Sequence, residues 1–160
     1  EVVYDICHNI AKFEKHIIDG KEKEILIMRK GATRSFGPGR AEIPVAYREV
    51  GAPILIPGSM GTPSFVLCGT KKAEEISFAS TAHGAGRAKS RTQANKDFTF
   101  EEAKRRMEER GVFVEFGQKK GMVEEAPESY KDIDEVVNAS HDAGIGKKVA
   151  KLNPLMVVIG

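Results

Sequence analysis

Four histidines, His8, His16, His83 and His141, are the side chains best suited to nucleophilic, acid–base or metal chemistry in this sequence. His83 stands at the mouth of a loop with glycines at 84 and 86, an arginine at 87 and Ser90-Arg91 beyond. Glycine lets backbone come close to a ligand, and successive N–H groups form a concave anion site. Arginine adds planar, paired donors for phosphate oxygens. An imidazole placed there can attack phosphorus or move a proton. A glycine turn that carries a histidine without a chemical task fits the same residues, and loop chemistry alone does not separate the two.

His8, next to Asn9, is a candidate metal ligand, but one histidine does not make a site, and taken alone it reads better as a core or capping residue. His16 lies among charged residues of an extended stretch and reads as solvated or packed. His141 falls at a helix end, where an imidazolium complements the dipole. Cys7 and Cys68 form no Cys-x-x-Cys pair, which excludes a zinc ribbon or thioredoxin-like motif; both read as buried thiols in a reducing cytoplasm.

The elements that must position these groups alternate between extended and helical. Residues 4–12 have Ile6, Ile10 and Phe13 at helical spacing and predict a short helix carrying His8. Residues 15–18 and 22–29 predict two strands joined by Asp19-Gly20, a strong hairpin signal. Residues 31–42 read as an irregular loop, and 53–57 and 64–68 as short apolar strands. Residues 75–80 alternate weakly and predict a strand leading into His83. A helix is expected over 100–110, with Thr99 as N-cap and Glu101 and Glu102 in the first turn. A strand over 112–116, a helix over 132–141 closed near Gly144, and a strand over 155–159 complete the chain.

The 160 residues, 41% hydrophobic and 30% charged, are enough for one globular unit with a core. No apolar run approaches the length that spans a bilayer, and no signal peptide is visible at Glu1-Val2-Val3-Tyr4. A net charge of +2 does not announce a nucleic-acid binder, but Lys30, Arg34, Arg40, Arg87, Lys89 and Arg91 all lie in glycine- or serine-bearing segments suited to phosphate. The expectation is a mixed α/β (α+β) fold without repeats or linkers, with flanking helices and long glycine-rich loops.

The run Ser80-Thr81-Ala82-His83-Gly84-Ala85-Gly86-Arg87-Ala88-Lys89-Ser90-Arg91 resembles the signature of the RtcB RNA ligases. Further runs keep that family's order: Asp5-Ile6-Cys7-His8-Asn9-Ile10-Ala11-Lys12, Arg29-Lys30-Gly31-Ala32-Thr33-Arg34 and Pro57-Gly58-Ser59-Met60-Gly61-Thr62. Glu124-Glu125-Ala126-Pro127-Glu128-Ser129-Tyr130-Lys131 and His141-Asp142-Ala143-Gly144-Ile145 follow. The resemblance covers essentially the whole chain and implies that residues 1–160 are the C-terminal half of a single RtcB-like catalytic domain.

It also implies an activity: joining an RNA 2′,3′-cyclic phosphate or 3′-phosphate end to a 5′-hydroxyl end, with GTP and Mn²⁺, in tRNA splicing and RNA repair. His83 would be the nucleophile toward the α-phosphorus of GTP and His8 a Mn²⁺ ligand. Ser59, Ser64 and Tyr130 would line the guanosine pocket, and the backbone of Ala85 and Gly86 would hold the GMP phosphate. Lys30, Arg87 and Arg91 would meet phosphate or RNA backbone. The implied partners are RNA (tRNA halves), GTP and the N-terminal half of the same ligase, in the cytoplasm and away from membranes.

Two departures bear on this. The family's other metal ligands, an aspartate, a cysteine and further histidines, belong to its N-terminal half, and no Asp-x-Cys precedes His8. Glu1 in place of an initiator Met is read in the same sense, with that half absent from this chain. The family also carries a guanosine-contacting lysine just before its final glycine, where this chain reads Val157-Val158-Ile159-Gly160. Losing one such hydrogen bond costs about 1–3 kcal/mol. The alternative is therefore a non-catalytic nucleotide- or RNA-binding remnant of the family.

Overall fold

The computed structural model describes residues 2–159. Glu1 and Gly160, to which the readings of an opening without Met and of a final glycine attach, lie outside the described residues. The fold is mixed α and β, with small sheets joined by long loops, as the composition of the loops predicts.

The chain enters irregularly and then forms a long ribbon, β1 (Asn9–Ile18) against β2 (Lys21–Lys30), in register from Asn9↔Lys30 to Ile18↔Lys21. Asp19 and Gly20 both take positive φ, 53° and 74°, as a two-residue type I′ turn requires. The helix expected over 4–12 is not formed: residues up to Cys7 are irregular and β1 begins at Asn9. Ile6, Ile10 and Phe13 fall at helical spacing, but in the strand Ile10 and Phe13 lie on opposite faces. The ribbon as a whole also has reversed polarity. Its inner face buries Glu14, His16 and Arg29, whereas Phe13, Ile17 and Met28 point outward, 69–77% exposed. Polar residues inside hide the apolar alternation that marks a half-buried strand.

β3 (Ala32–Arg34) pairs antiparallel with β6 (Ser80–Ala82), so the loop expected over 31–42 contains a short strand. β5 (Ser64–Gly69) is the centre of a three-stranded antiparallel sheet, between β4 (Pro53–Ile56) and β8 (Gly146–Leu152). Helix α5 (Ile133–Asp142) packs on that sheet, burying Ile54, Ile56, Phe65, Leu67, Ile133 and Val137. Asp132 caps α5 by accepting from Asp134 N and Glu135 N.

The strand expected over 75–80 is instead helix α1 (Lys71–Ser77), capped by Thr70, followed by a sharp turn and β6. The cap and the helix formers Lys71 to Glu75 outweigh a weak alternation. Helices α2 (Arg91–Asp97), α3 (Phe100–Glu109) and α4 (Lys119–Glu124) form a second layer beside a parallel pair, β7 (Phe113–Phe116) and β9 (Met156–Ile159). Thr99 and Glu102 make the reciprocal capping box at the start of α3. Met60, Ala103, Met107 and Met122 form the core of this layer. Phe36, Ile43, Ala52 and Ala79 make a third, smaller core under Tyr4 and Tyr47. Among the described residues no helix is long and apolar enough to cross a membrane.

Two side-chain expectations change. Cys7 is exposed rather than buried, because it lies in the irregular segment before β1; Cys68 is half-buried, its thiol donating to Val50 O. His16 is packed, hydrogen-bonded to Glu14 and edge-on to Phe78. His141, in the last turn of α5, places Nδ1 3.3 Å from Gly146 O.

Candidate active site

Two chain segments far apart in sequence bring His83 and His8 together. His83 directly follows β6, whose register with β3 sets Ala82 opposite Ala32. Gly31 therefore lies against the His83 ring; its φ of +69° is one that side-chain-bearing residues rarely adopt. Gly31 N donates to His8 O at 3.1 Å, which ties the base of the β1–β2 ribbon to the same spot. The two imidazoles stack, centroids 4.6 Å apart and planes within 8°. Burial first, and the neighbouring His8 second, hold His83 below the ordinary histidine pKa. A neutral ring keeps a lone pair free for attack or for accepting a proton.

His83 forms part of the wall between two cavities. One, of about 340 Å³, is lined by Gly58, Ser59, Met60, Glu125 and Tyr130 together with the loop at Gly84, Ala85 and Gly86. The other, of about 500 Å³, is more apolar, with Ile6, Leu55, Phe65 and Leu152 around His8 and Ser64. Ser59, Tyr130, Ala85 and Gly86 thus share the His83 cavity. Ser64 opens on the second one and accepts a hydrogen bond from Gly58 N, bracing the loop that carries Ser59.

Two features of the smaller cavity fit an anionic, hydrogen-bonding ligand. Ser59 Oγ is buried and has no hydrogen-bond partner among the described residues, a cost unless a ligand or solvent meets it. The N–H groups of Gly84, Ala85 and Gly86 also find no acceptor among the described residues. The loop is held open by its far side: Lys131 N donates to Gly86 O, and Ala88 N and Lys89 N both donate to Ser129 O.

Arg87 builds the wall from behind. Its Nε donates to Lys89 O, Nη2 to Glu124 O, and Nη1 to Tyr130 Oη and the Glu125 carboxylate. All three guanidinium nitrogens are thus engaged by acceptors of the chain itself. Tyr130 Oη donates to Glu125, and burial, with that acceptor second, raises the phenol above its ordinary pKa. Lys30 and Arg91 are exposed and line neither cavity, Lys30 at the end of β2 and Arg91 at the start of α2, the latter leaning toward Glu124 and Glu125. Glu125 and Gly31 were not singled out by sequence reasoning, although both fall within the quoted motifs; the motif alignment held the signal, and side-chain chemistry alone did not.

His8 is exposed, and the described residues contain no group of three or more His, Cys, Asp or Glu able to hold a metal ion. Its imidazole fits a first-row divalent ion as one ligand of several. Ile159, at the position where a lysine was expected, lies in β9 and packs on the core of Met60, Met107 and Met122, lining neither cavity itself.

The family model described as tRNA-splicing ligase RtcB matches residues 1–160. The tRNA-splicing ligase RtcB of Nanoarchaeum equitans is 52% identical over 160 residues, covering all of this chain and 34% of that protein. The tRNA-splicing ligase RtcB of Archaeoglobus fulgidus is 52% identical over the whole chain and 33% of its own length. That of Methanococcus maripaludis is 51% identical with the same coverage. The chain spans about a third of the length of the curated relatives it matches, a smaller share than the half expected.

Proposed function

Because the chain belongs to the RtcB family, we propose that it supplies the nucleophile and nucleotide pocket of a GTP-dependent RNA ligase. The observation that carries this reading is His83 itself. It is a pKa-lowered imidazole beside a cavity that offers a buried, unpartnered Ser59 hydroxyl and three backbone N–H groups without acceptors.

In this reading GTP is the first substrate. His83 attacks its α-phosphorus, the bond to the β-phosphate oxygen breaks, and pyrophosphate leaves. The loop N–H groups of Gly84 to Gly86 bind the α-phosphoryl oxygens as charge builds on them. Ser59 and Tyr130 hold the guanosine, with Glu125 and Arg87 fixing the Tyr130 ring. The GMP group then passes from His83 to the RNA 3′-phosphate, and the 5′-hydroxyl of the second RNA displaces GMP to close the strand. Exposed Lys30 and Arg91 suit contacts with RNA phosphates, which set position rather than sequence.

His8 is the residue of this chain that would hold Mn²⁺, with the other ligands supplied by the remaining polypeptide of such a ligase. When bound, the ion would neutralise phosphate charge and orient the reacting groups. The tRNA-halves substrate, the N-terminal partner and a cytoplasmic setting belong to this same reading.

The test is a mass measurement. The chain is incubated with GTP and Mn²⁺, alone and with the polypeptide corresponding to the rest of a relative such as the Nanoarchaeum equitans ligase. A GMP-sized adduct in the pair, absent in His83→Ala, is the expected result. A folded pair that binds GTP and forms no adduct would instead favour the binding remnant. Ile159, an apolar side chain that packs on the core and cannot donate a hydrogen bond to a nucleotide, supports that second reading.

A further inference from the structure

We infer that Arg29 is a positioning residue for His83, holding the imidazole in place through the turn that feeds its strand. The inference deepens the assignment of His83 as nucleophile and rests on it. Between α1 and β6 the chain reverses through Phe78 and Ala79, two consecutive non-glycine residues with φ of 48° and 49°. Both lie in the left-handed region, where a Cβ crowds the following carbonyl, so the turn persists only if its surroundings hold it. Ala79 is fully buried, and His83 lies four residues further on, directly after β6.

Backbone bonds from Ala79 N to Ala73 O and from Ser35 N to Ala79 O brace this turn, and Arg29 is the side chain that ties it to the ribbon. Its Nη2 donates to Phe78 O at 2.8 Å and to Ala79 O at 3.3 Å, and its Nε donates to Ser80 Oγ at 2.9 Å. Glu14 aims the guanidinium by accepting from Nη1 at 2.7 Å and Nη2 at 2.8 Å. Both side chains are almost completely buried. Arg29 also stands at the end of β2, two residues before Gly31, where any side chain would meet the His83 ring and whose N–H donates to His8 O. One planar group therefore joins the segment carrying Gly31 to the segment carrying His83.

A buried ion pair is a poor way to gain stability, since apolar side chains of similar volume do as well or better. What apolar side chains cannot do is bind two adjacent carbonyls in a fixed direction, which a guanidinium does. This separates Arg29 from its neighbour Lys30, whose side chain is exposed and free to meet phosphate.

The experiment is NMR on this chain without GTP or metal, so that it reads geometry and not turnover. The stacked rings of His8 and His83 give a ring-to-ring NOE and ring-current shifts in the unsubstituted chain. In Arg29→Ala, with the backbone amide peaks of α3 and α5 unchanged, that NOE disappears, and free guanidinium at concentrations well below those that unfold the chain restores it. A general loosening would not be rescued. Persistence of the NOE in the folded variant, loss without rescue, or no stacking in the unsubstituted chain would each overturn the inference. If Arg29→Ala does not fold, Arg29→Lys decides. It keeps a charge beside Glu14 but lacks the second nitrogen, so loss of stacking supports the inference and retention overturns it. Failure to form a GMP adduct would count against His83 as nucleophile and leave the ring-to-ring result as it stands.

Discussion

The β1–β2 ribbon and the β4–β5–β8 sheet are both antiparallel, yet they are held against the molecule by different forces. The sheet turns Ile54, Ile56, Phe65 and Leu67 inward onto α5. The ribbon turns Glu14, His16 and Arg29 inward and leaves Phe13, Ile17 and Met28 outside. Apolar burial is strong and non-directional, so it fixes that two layers meet but is lenient about angle. Charged hydrogen bonds add less net stability but dictate direction. The site uses each accordingly: the sheet is its foundation, and the ribbon aligns His8 and Gly31 with His83.

That contrast can be broken in graded steps. Arg29→Ala leaves the Glu14 carboxylate buried without its partner and is expected to lower unfolding free energy by about 3–5 kcal/mol. A urea midpoint within error of the unsubstituted chain would show that the ribbon's ions are not holding it. Leu67→Ala opens a cavity in the sheet and costs about 2–5 kcal/mol. In calorimetry it should depress Tm while leaving the His8–His83 stacking signals in place; disturbed signals would mean that the sheet also aligns the site.

Acid sharpens the comparison. Burial pushes the Glu14 carboxyl up, but its hydrogen bonds and the charge of Arg29 outweigh this and hold it below the ordinary carboxylate pKa. A depressed carboxylate contributes stability above its unfolded pKa and loses it as pH falls through the folded value. Stability should therefore fall as pH drops from the ordinary carboxylate range through the lower folded value, and fall less steeply in Glu14→Gln; matching pH profiles for both proteins would refute the ribbon's ionic character. Thr99→Ala, which removes the α3 capping box far from both regions, costs about 1 kcal/mol and calibrates the scale. Phe13→Ser, on the ribbon's outer face, should change the stability of the isolated chain by less than about 0.5 kcal/mol. A larger loss would mean that the outer face is covered in solution.

The same contrast explains what could be read from the sequence. Where the local signal and the tertiary environment agree, the reading was right: Asp19-Gly20 for the hairpin, Thr99 to Glu102 for α3, Asp132 for α5. Where burial reverses polarity, it failed. The start of β1 reads as a helix because Ile6, Ile10 and Phe13 fall at helical spacing, whereas in the strand Ile10 and Phe13 lie on opposite faces, Phe13 on the exposed one. β8 went unread because it is an edge strand rich in lysine, which guards such edges but masks their pattern. α2 and α4, each of six or seven residues, are too short to show a period. At the site, the motifs predicted His83, Ser59, Tyr130 and the glycine loop in one cavity, and the structure brings them together. The inward turn of Arg87 and the opening of Ser64 on the neighbouring cavity depend on contacts across the fold that no local pattern encodes.

The parallel pairing of β7 with β9 also has a consequence in time. Among the described residues β7 has no other strand neighbour, and its partner lies on the far side of α4, α5 and β8 in the chain. Such long-range pairings form late, because the intervening chain must be gathered first. On a ribosome, a nascent chain that has delivered α5 but not β9 would still show the flank of the methionine core, with Val114 and Phe116 unpaired. That interval is when the growing protein is most exposed to aggregation and has most to gain from a chaperone.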